Sequence, residues 1–288
     1  MAKKKVEKKV PKNKDFSFYV LNIKIMSDDI ATGETYSELF ENAFKNKQMG
    51  KINADHHGII RQLFHDKDAK FIYGIFCRFV KVGNQAMDIN SLEIIDFEIP
   101  RHLFPNPKEA QFVFFPDLHR VGIFKNSKIS LSSLQKMLTD LFNADKEKNM
   151  AVEVNIEQSS DAFEKILAAK EIQKVHIEVS PSNADINNDA TAFMDKELKE
   201  TGIAKIAADI HPNAGGKLKT EKGTVLIGMF GLAQSNGKVR ATIVNDQEKK
   251  EVVNTESHPR VFKISSESAE GAKIILKKNL AKWFRNGK

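Results

Sequence analysis

The sequence predicts an α+β fold with mixed or antiparallel sheets and packed helices. Two observations favour this class: alternating or β-branched strand segments in both halves of the chain, and amphipathic helices between them. The most regular stretch, residues 150–209, reads as strand, helix, strand, helix and strand. At 288 residues the chain is long enough for one large domain or for two ordinary ones, each with its own core.

The first half, residues 16–149, combines strands with two amphipathic helices. The helix at 36–47 has Thr35 as its expected N-cap and Glu38 three residues later, which is the capping-box spacing. Residues 50–68 are interpreted as a polar loop. Apolar spacing and turn signals place the remaining elements, which are strands at 16–25, 70–82, 92–99, 111–115 and 118–125 and a helix at 131–144.

The second half, residues 150–288, contains the regular stretch and a C-terminal helix. Residues 224–233 and 238–244 are expected to form a hairpin, because Asn236-Gly237 suits a tight turn. The other expected elements are strands at 152–156, 175–179, 203–208 and 261–264 and helices at 161–170, 187–200 and 267–284.

Composition indicates a cytoplasmic protein. No apolar run approaches the roughly 20 residues that span a bilayer, and the lysine-rich N-terminus has no apolar signal segment. The single cysteine, Cys77, excludes an intramolecular disulfide framework and a zinc site built on cysteines. It lies in an apolar strand, where a small buried residue is expected.

Positive charge is concentrated at the N-terminus, where residues 1–15 are predicted to form a basic disordered arm. Residues 1–14 contain seven lysines and one glutamate, a net charge of +6, so about +1 of the total +7 belongs to the rest of the chain. Such an arm can bind nucleic acid by neutralising phosphates, or it can serve only as a solvated tail.

A second basic segment follows the regular stretch. Residues 215–223 contain glycines and lysines but lack the GxxxxGK[ST] spacing of a phosphate-binding P-loop, and no helix is expected after them. We interpret the segment as a basic loop that can contact a nucleic-acid backbone. The predicted nucleic-acid contacts are Lys3, Lys4, Lys5, Lys8, Lys9, Lys12, Lys14, Lys217, Lys219, Lys222, Lys238 and Arg240.

The sequence contains no catalytic motif that we recognise, so no catalytic residue, cofactor or metal ligand is predicted. Asp55-His56-His57 has ligand residue types but no partner cluster at a metal-site spacing. The alternative of a metal-dependent nuclease depends on acids on or after strands. These acids are Asp96, Glu98, Glu153, Glu178 and Asp185. However, Ile99-Pro100 follows Asp96 and Glu98 at the position where a restriction-type nuclease has a lysine.

The segment Val175–Asn183, a strand followed by Ser-Pro-Ser-Asn, resembles the family of the phage exclusion protein RexA and a related bacterial family. The Ser235-Asn236-Gly237 segment and the basic terminal helix fit the same resemblance, which covers residues 150–285. RexA-like proteins are similar in fold to the recombination-associated protein RdgC. The resemblance implies an RdgC-like fold, nonspecific DNA binding, a homodimer and a role in antiphage defence.

The leading hypothesis is therefore a dimeric, sequence-nonspecific protein that binds double-stranded DNA and acts in phage exclusion without chemistry of its own. This hypothesis leaves room for a partner effector protein. The nuclease remains one alternative. A protein-interaction module with an incidental basic tail is the other, and it predicts no affinity for nucleic acid at moderate salt.

Overall fold

The computed structural model describes residues 13–26, 31–144, 151–182, 189–214 and 216–286. Within these residues the α+β fold predicted from the sequence is confirmed. The strands are β1 (Lys14–Met26), β2 (Gly50–Lys51), β3 (His56–Asp66), β4 (Phe71–Val80), β5 (Gln85–Met87), β6 (Ile94–Asp96), β7 (Lys108–Phe115), β8 (Arg120–Phe124), β9 (Ala151–Ile156), β10 (Glu171–Val179), β11 (Ile206–Ile210), β12 (Gly237–Val244), β13 (Lys250–Asn254) and β14 (Val261–Ser266). The helices are α1 (Gly33–Lys45), α2 (Leu131–Phe142), α3 (Ser160–Leu167), α4 (Asp189–Glu200), α5 (Val225–Asn236) and α6 (Ala269–Asn286).

The larger sheet is organised by β1, which is long enough to pair with three antiparallel neighbours. β8 lies along one side of β1, while the other side pairs with β14 near its start and with β9 near its end. The strand order is β14-β1-β8-β7-β4-β3-β2. Because β9 and β14 both come after residue 149, this sheet crosses the predicted boundary between the two halves.

Helices cover both faces of the larger sheet. α1 and α2 pack on one face through Tyr36, Phe40 and Leu138, and α6 packs on the other through Leu276 and Leu280. Alternate residues of β1 point into these two cores, as expected for a strand whose side chains alternate between faces. The abundant phenylalanines fill both cores, where Phe40 stacks on Phe114 at 4.1 Å between ring centroids.

The smaller sheet has the antiparallel order β11-β10-β12-β13 and is covered by helices on one face only. α3, α4 and α5 pack on the covered face over Val175, Ile177 and Val239. The opposite face carries polar side chains, including Glu178 and Lys238. This alternation of buried and polar positions is typical of an antiparallel sheet with one open face.

The prediction of a hairpin at residues 224–244 is wrong, because the segment expected to be its first strand forms the helix α5. This helix is buried on several sides, so its apolar run shows no helical period from which it could be recognised. Gly228 and Gly231 allow α5 to lie close to α4. A Cβ at Gly228 would come within 2.5 Å of the Ala190 carbonyl oxygen, and one at Gly231 within 2.0 Å of Thr191 Oγ1. Asn236-Gly237 therefore ends a helix instead of turning a hairpin.

Other boundaries also differ from the prediction. The expected polar loop at 50–68 contains β2 and the long strand β3. The expected strand at 92–99 shortens to β6 in an exposed hairpin with β5. Thr32, not Thr35, is the N-cap of α1, and Thr35 takes the reciprocal capping-box position. Lys14 belongs to β1, where it pairs with Ser266, and not to the predicted arm.

Among the described residues, none of the helices combines the length and the apolar character that crossing a membrane requires. Cys77 is buried in β4 as a free thiol, which confirms its predicted environment.

Candidate functional site

A polar cleft separates α2 from the first residues of β12, where the two sheets meet. It consists of two adjoining cavities of about 540 and 750 Å³. Both cavities are lined by Gln135 and Lys136 of α2, by Lys238 of β12 and by Glu256. We call the whole feature the α2–β12 cleft, the larger cavity its basic half and the smaller cavity its mixed-charge half.

The basic half is formed where β8 leads into α2. Lys125 follows β8 and lies 5.9 Å from the ring centroid of Tyr19, while Lys136 is one turn into α2. Both lysines are exposed, and neither forms an ion pair with a described residue. Lys238 is the third lysine of this cavity, and Glu256 is the only acid among the described residues that line it.

The N-terminus of α2 opens into the same cavity through Ser130, Leu131 and Ser132. Ser130 is the N-cap and accepts a hydrogen bond from the backbone N–H of Ser133. No hydrogen bond within the described part of the chain uses the backbone N–H groups of Leu131 or Ser132. The first turn contains no acidic side chain, so its positive dipole end is not neutralised by a carboxylate within that turn.

The mixed-charge half is centred on Glu178, which is shared by two lysines. Its carboxylate lies 2.7 Å from Lys205 Nζ and 3.2 Å from Lys238 Nζ. Partial burial raises the pKa of Glu178, but hydrogen bonds from both ammonium groups outweigh that effect and hold the pKa at about 2. Glu178 is therefore ionised at neutral pH and neutralises part of the lysine charge at this end.

A buried polar network fixes the two sheets to each other beneath the cleft. Arg120 of β8 and Glu157, which follows β9, form an ion pair with 2.7 Å between Nε and Oε1, and both side chains are at most 8% exposed. Arg120 also donates to Asn22 Oδ1, and Asn22 donates to the Ser235 carbonyl at the end of α5. The Ser235 hydroxyl completes the network by donating to Glu157.

The Ser-Pro-Ser segment of the RexA-like motif is buried in the same junction. Ser180 Oγ donates to Glu153 Oε2 at 2.6 Å, and Lys24 of β1 donates to the Pro181 carbonyl. Ser182 donates from both its backbone and its hydroxyl to Asp195 of α4. Asn183, the last residue of the motif, lies outside the described residues. The contacts of this segment join the sheets.

Few of the predicted nucleic-acid contacts line the cleft. Lys238 does so, and Arg240 lies two residues further along the open face of the smaller sheet. The loop that carries the predicted contacts at 217, 219 and 222 is exposed and has no regular structure over 216–224. Lys14 is exposed at the start of β1. Six of the predicted contacts lie outside the described residues, namely Lys3, Lys4, Lys5, Lys8, Lys9 and Lys12.

Sequence reasoning missed Lys125 and Lys136. The available signal was a serine-capped helix without an acid in its first turn, with Lys125 before it and Lys136 within it. That signal does not show which other basic residues meet the helix. Lys238, more than a hundred residues later in the sequence, joins them only because the two sheets pack together.

The acids of the nuclease alternative are dispersed in the described structure. Asp96 lies in the exposed β5–β6 hairpin with Glu98 just beyond it, whereas Glu178 and Glu153 line the mixed-charge half and bind lysine or serine groups. Asp185 lies outside the described residues. Within the described ranges, no three histidine, cysteine, aspartate or glutamate side chains form a group that could hold a metal ion.

Comparison with known proteins identifies a family but no activity. Residues 14–281 match the model of a family described as "Domain of unknown function (DUF4747)". No curated protein matches the chain.

Proposed function

Because the chain belongs to the DUF4747 family, whose description names no activity, we propose its function from the chemistry of the α2–β12 cleft. The chain binds double-stranded DNA without reading its sequence, and the basic half of the cleft contacts the phosphates. The observation that supports this proposal is the convergence of Lys125, Lys136 and the first turn of α2 on one open cavity.

These groups suit a phosphate for electrostatic reasons. Lys125 and Lys136 carry their charge without an acidic partner among the described residues, so binding a phosphate breaks no ion pair that the structure contains. The free amides of the first turn supply additional donors, and the helix dipole favours an anion there. Neutralising phosphates with lysines releases counterions, which makes affinity high at low salt and steeply salt-dependent.

The cleft favours contact with the nucleic-acid backbone over contact with the bases. Tyr19 is the only aromatic residue among the described residues that line it, and proteins that bind single strands by stacking present several aromatic rings. Phosphate contacts position a protein on DNA but carry no sequence information. Binding through this cleft is therefore independent of sequence.

The lysines of residues 1–12 add further phosphate contacts in this proposal, as do Arg240 and the loop at 216–224. The resemblance of the second half to RexA-like proteins extends the proposal to a role in antiphage defence in the cytoplasm. That cellular role is tested by measuring phage plating efficiency on cells that express the wild-type chain or the Lys125→Gln/Lys136→Gln variant. Protection by the wild type alone is the expected result.

DNA binding is tested by titrating a labelled duplex of mixed sequence with full-length protein at several salt concentrations. We expect the Lys125→Gln/Lys136→Gln variant to bind about tenfold more weakly at low salt. Its plot of log affinity against log salt should lose a slope of about 2, because each lysine that contacts a phosphate contributes about 1.

A matched control replaces two exposed lysines elsewhere, Lys249→Gln and Lys278→Gln, which form no ion pair with the described residues and lie outside the cleft. If this control weakens binding as much as the cleft variant, net charge and not the cleft is responsible. A third variant replaces the six lysines of residues 1–12 with glutamine and separates their contribution. Absence of binding by the wild type at low salt would refute the proposed function.

A further inference from the structure

The β5–β6 hairpin, residues 83–99, extends from the larger sheet without packing on either core. Its backbone is ordered by pairing over Gln85–Met87 and Ile94–Asp96 and by Asp88, which accepts hydrogen bonds from the amides of Asn90 and Ser91. None of its side chains belongs to the three hydrophobic clusters of the described structure. Two-stranded hairpins are at best marginally stable alone in water.

The hairpin nevertheless exposes five large apolar side chains. Their exposed fractions range from 44% at Ile95 to 78% at Ile89. The set is Met87, Ile89, Leu92, Ile94 and Ile95. Scattered apolar side chains are ordinary on a surface, but five within nine residues of one hairpin that packs on neither core indicate an interaction site.

The charge of the hairpin identifies the chemistry of its partner. Residues 83–99 contain four acids, Asp88, Glu93, Asp96 and Glu98, and no lysine or arginine. Because the whole chain carries +7 and the hairpin −4, the other residues carry +11. A binding surface for the acidic hairpin needs apolar side chains beside basic groups. A second copy of this chain meets the charge requirement, because its residues outside the hairpin carry a net positive charge.

The basic half of the α2–β12 cleft has this composition. Besides Lys125 and Lys136, its lining includes Tyr19, Leu131 and Pro259. Its volume of about 750 Å³ lies in the range of pockets that enclose ligands. The hairpin of the same chain does not occupy it, since the apolar side chains of that hairpin are exposed.

We infer that the chain forms a two-fold dimer in which the β5–β6 hairpin of each copy occupies the α2–β12 cleft of the other. The apolar tip, Ile89 and Leu92, covers the apolar wall of the cleft, and the hairpin acids pair with Lys125 and Lys136. A reciprocal exchange of this kind closes on itself, because the same two surfaces are used twice. The dimer does not depend on the proposed function, but one consequence does: hairpin and DNA compete for the basic half of the cleft.

The dimer is tested by light scattering and analytical ultracentrifugation of the full-length chain over a range of concentrations, without nucleic acid. The expected mass is about twice the 32.5 kDa of one chain. Ile89→Ser/Leu92→Ser should raise the dissociation constant at least tenfold. The matched control, Phe193→Ser/Val252→Ser, changes two exposed apolar side chains outside the hairpin and should leave the mass unchanged.

A charge exchange tests the cleft as the receiving surface. Lys125→Glu/Lys136→Glu and Glu93→Lys/Glu98→Lys should each weaken the dimer, and the chain with all four changes should regain it, because the opposite charges are restored in reversed order. A monomeric wild type, or a dimer that the hairpin variants leave intact, would overturn the inference. So would failure of the fourfold variant to regain the dimer while it remains folded by circular dichroism.

Two further measurements distinguish the dimer from a membrane contact and from DNA binding. A monomer that sediments with neutral phospholipid vesicles through Ile89 and Leu92 would make the hairpin a membrane contact and overturn the dimer. If the dimer forms as expected but DNA does not bind, only the proposed function fails. If both hold, Ile89→Ser/Leu92→Ser should bind DNA more tightly than the wild type, because its cleft is unoccupied.

Discussion

The ion pair between Arg120 and Glu157 should control the stability of the junction between the two sheets. Its atoms are 2.7 Å apart, and the side chains are 8% and 0% exposed. Glu157→Gln keeps the shape of the side chain but leaves the guanidinium of Arg120 buried without its opposite charge. Burial already lowers the pKa of Arg120, which indicates an environment that penalises an uncompensated charge. Breaking a buried pair in this way costs about 3–5 kcal/mol.

That loss is a large part of the roughly 5–15 kcal/mol by which natural domains are stable. It is measured from urea unfolding followed by circular dichroism, with the slope against urea checked for constancy so that the change in midpoint reports stability. Glu164→Gln on the exposed face of α3 is the matched control, and it should change the free energy of unfolding by less than about 0.5 kcal/mol.

A double substitution distinguishes the uncompensated charge from a simple loss of contacts. Arg120→Met/Glu157→Leu removes both charges and keeps apolar volume, so it should recover roughly half or more of the stability lost in Glu157→Gln. A loss below about 1 kcal/mol in Glu157→Gln would refute the reasoning, because it would mean that water or another group compensates Arg120. A double variant less stable than the single one would also contradict it.

Two further predictions concern the smaller sheet and its helices. Gly228→Ala should destabilise the chain by about 1–3 kcal/mol despite the better helix propensity of alanine, because the new Cβ would lie 2.5 Å from the Ala190 carbonyl oxygen. Gly83 has open space around it and is the matched control. In the same urea measurement, Gly83→Ala should change the free energy of unfolding by less than about 0.5 kcal/mol. The pKa of Glu178 falls from 4.5 to about 2 on folding, so its stabilising effect is complete above about pH 4.5 and disappears as the pH falls through about 2. Its lysine partners are 49% and 37% exposed, so solvent screens both ion pairs. Glu178→Gln should therefore cost about 1 kcal/mol at pH 7 and progressively less between pH 4.5 and 2, and a difference from wild type that stays constant over that range would contradict the assignment.

The sequence alone predicted those elements whose side chains repeat with the period of their backbone. α2 shows its buried face at Leu134, Met137, Leu138 and Leu141, and the structure buries all four. β9, α3, β10, α4 and β11 follow the predicted order for the same reason, with boundaries shifted by a few residues. The fold class follows from these elements, because each needs a partner for its apolar face.

The sequence could not determine elements without such a period. α5 is surrounded by α4 and the smaller sheet, so nearly all its positions are apolar and the run equally suits a strand. The β5–β6 hairpin has strand-like residues but no packing partner among the described residues of the chain, so only the tertiary structure shows that its apolar side chains are exposed.

The candidate site was decided almost wholly by tertiary structure. Lysines near the N-terminus are conspicuous in sequence because they are adjacent, whereas Lys125, Lys136 and Lys238 are separated in the sequence and form no run of charge. They line one cleft because β1 pairs with β8 on one side and β9 on the other, which holds α2 against the start of β12. The sequence shows which charged residues are adjacent along the chain. The electrostatic potential in a cleft depends instead on which distant segments the packing of the sheets brings together.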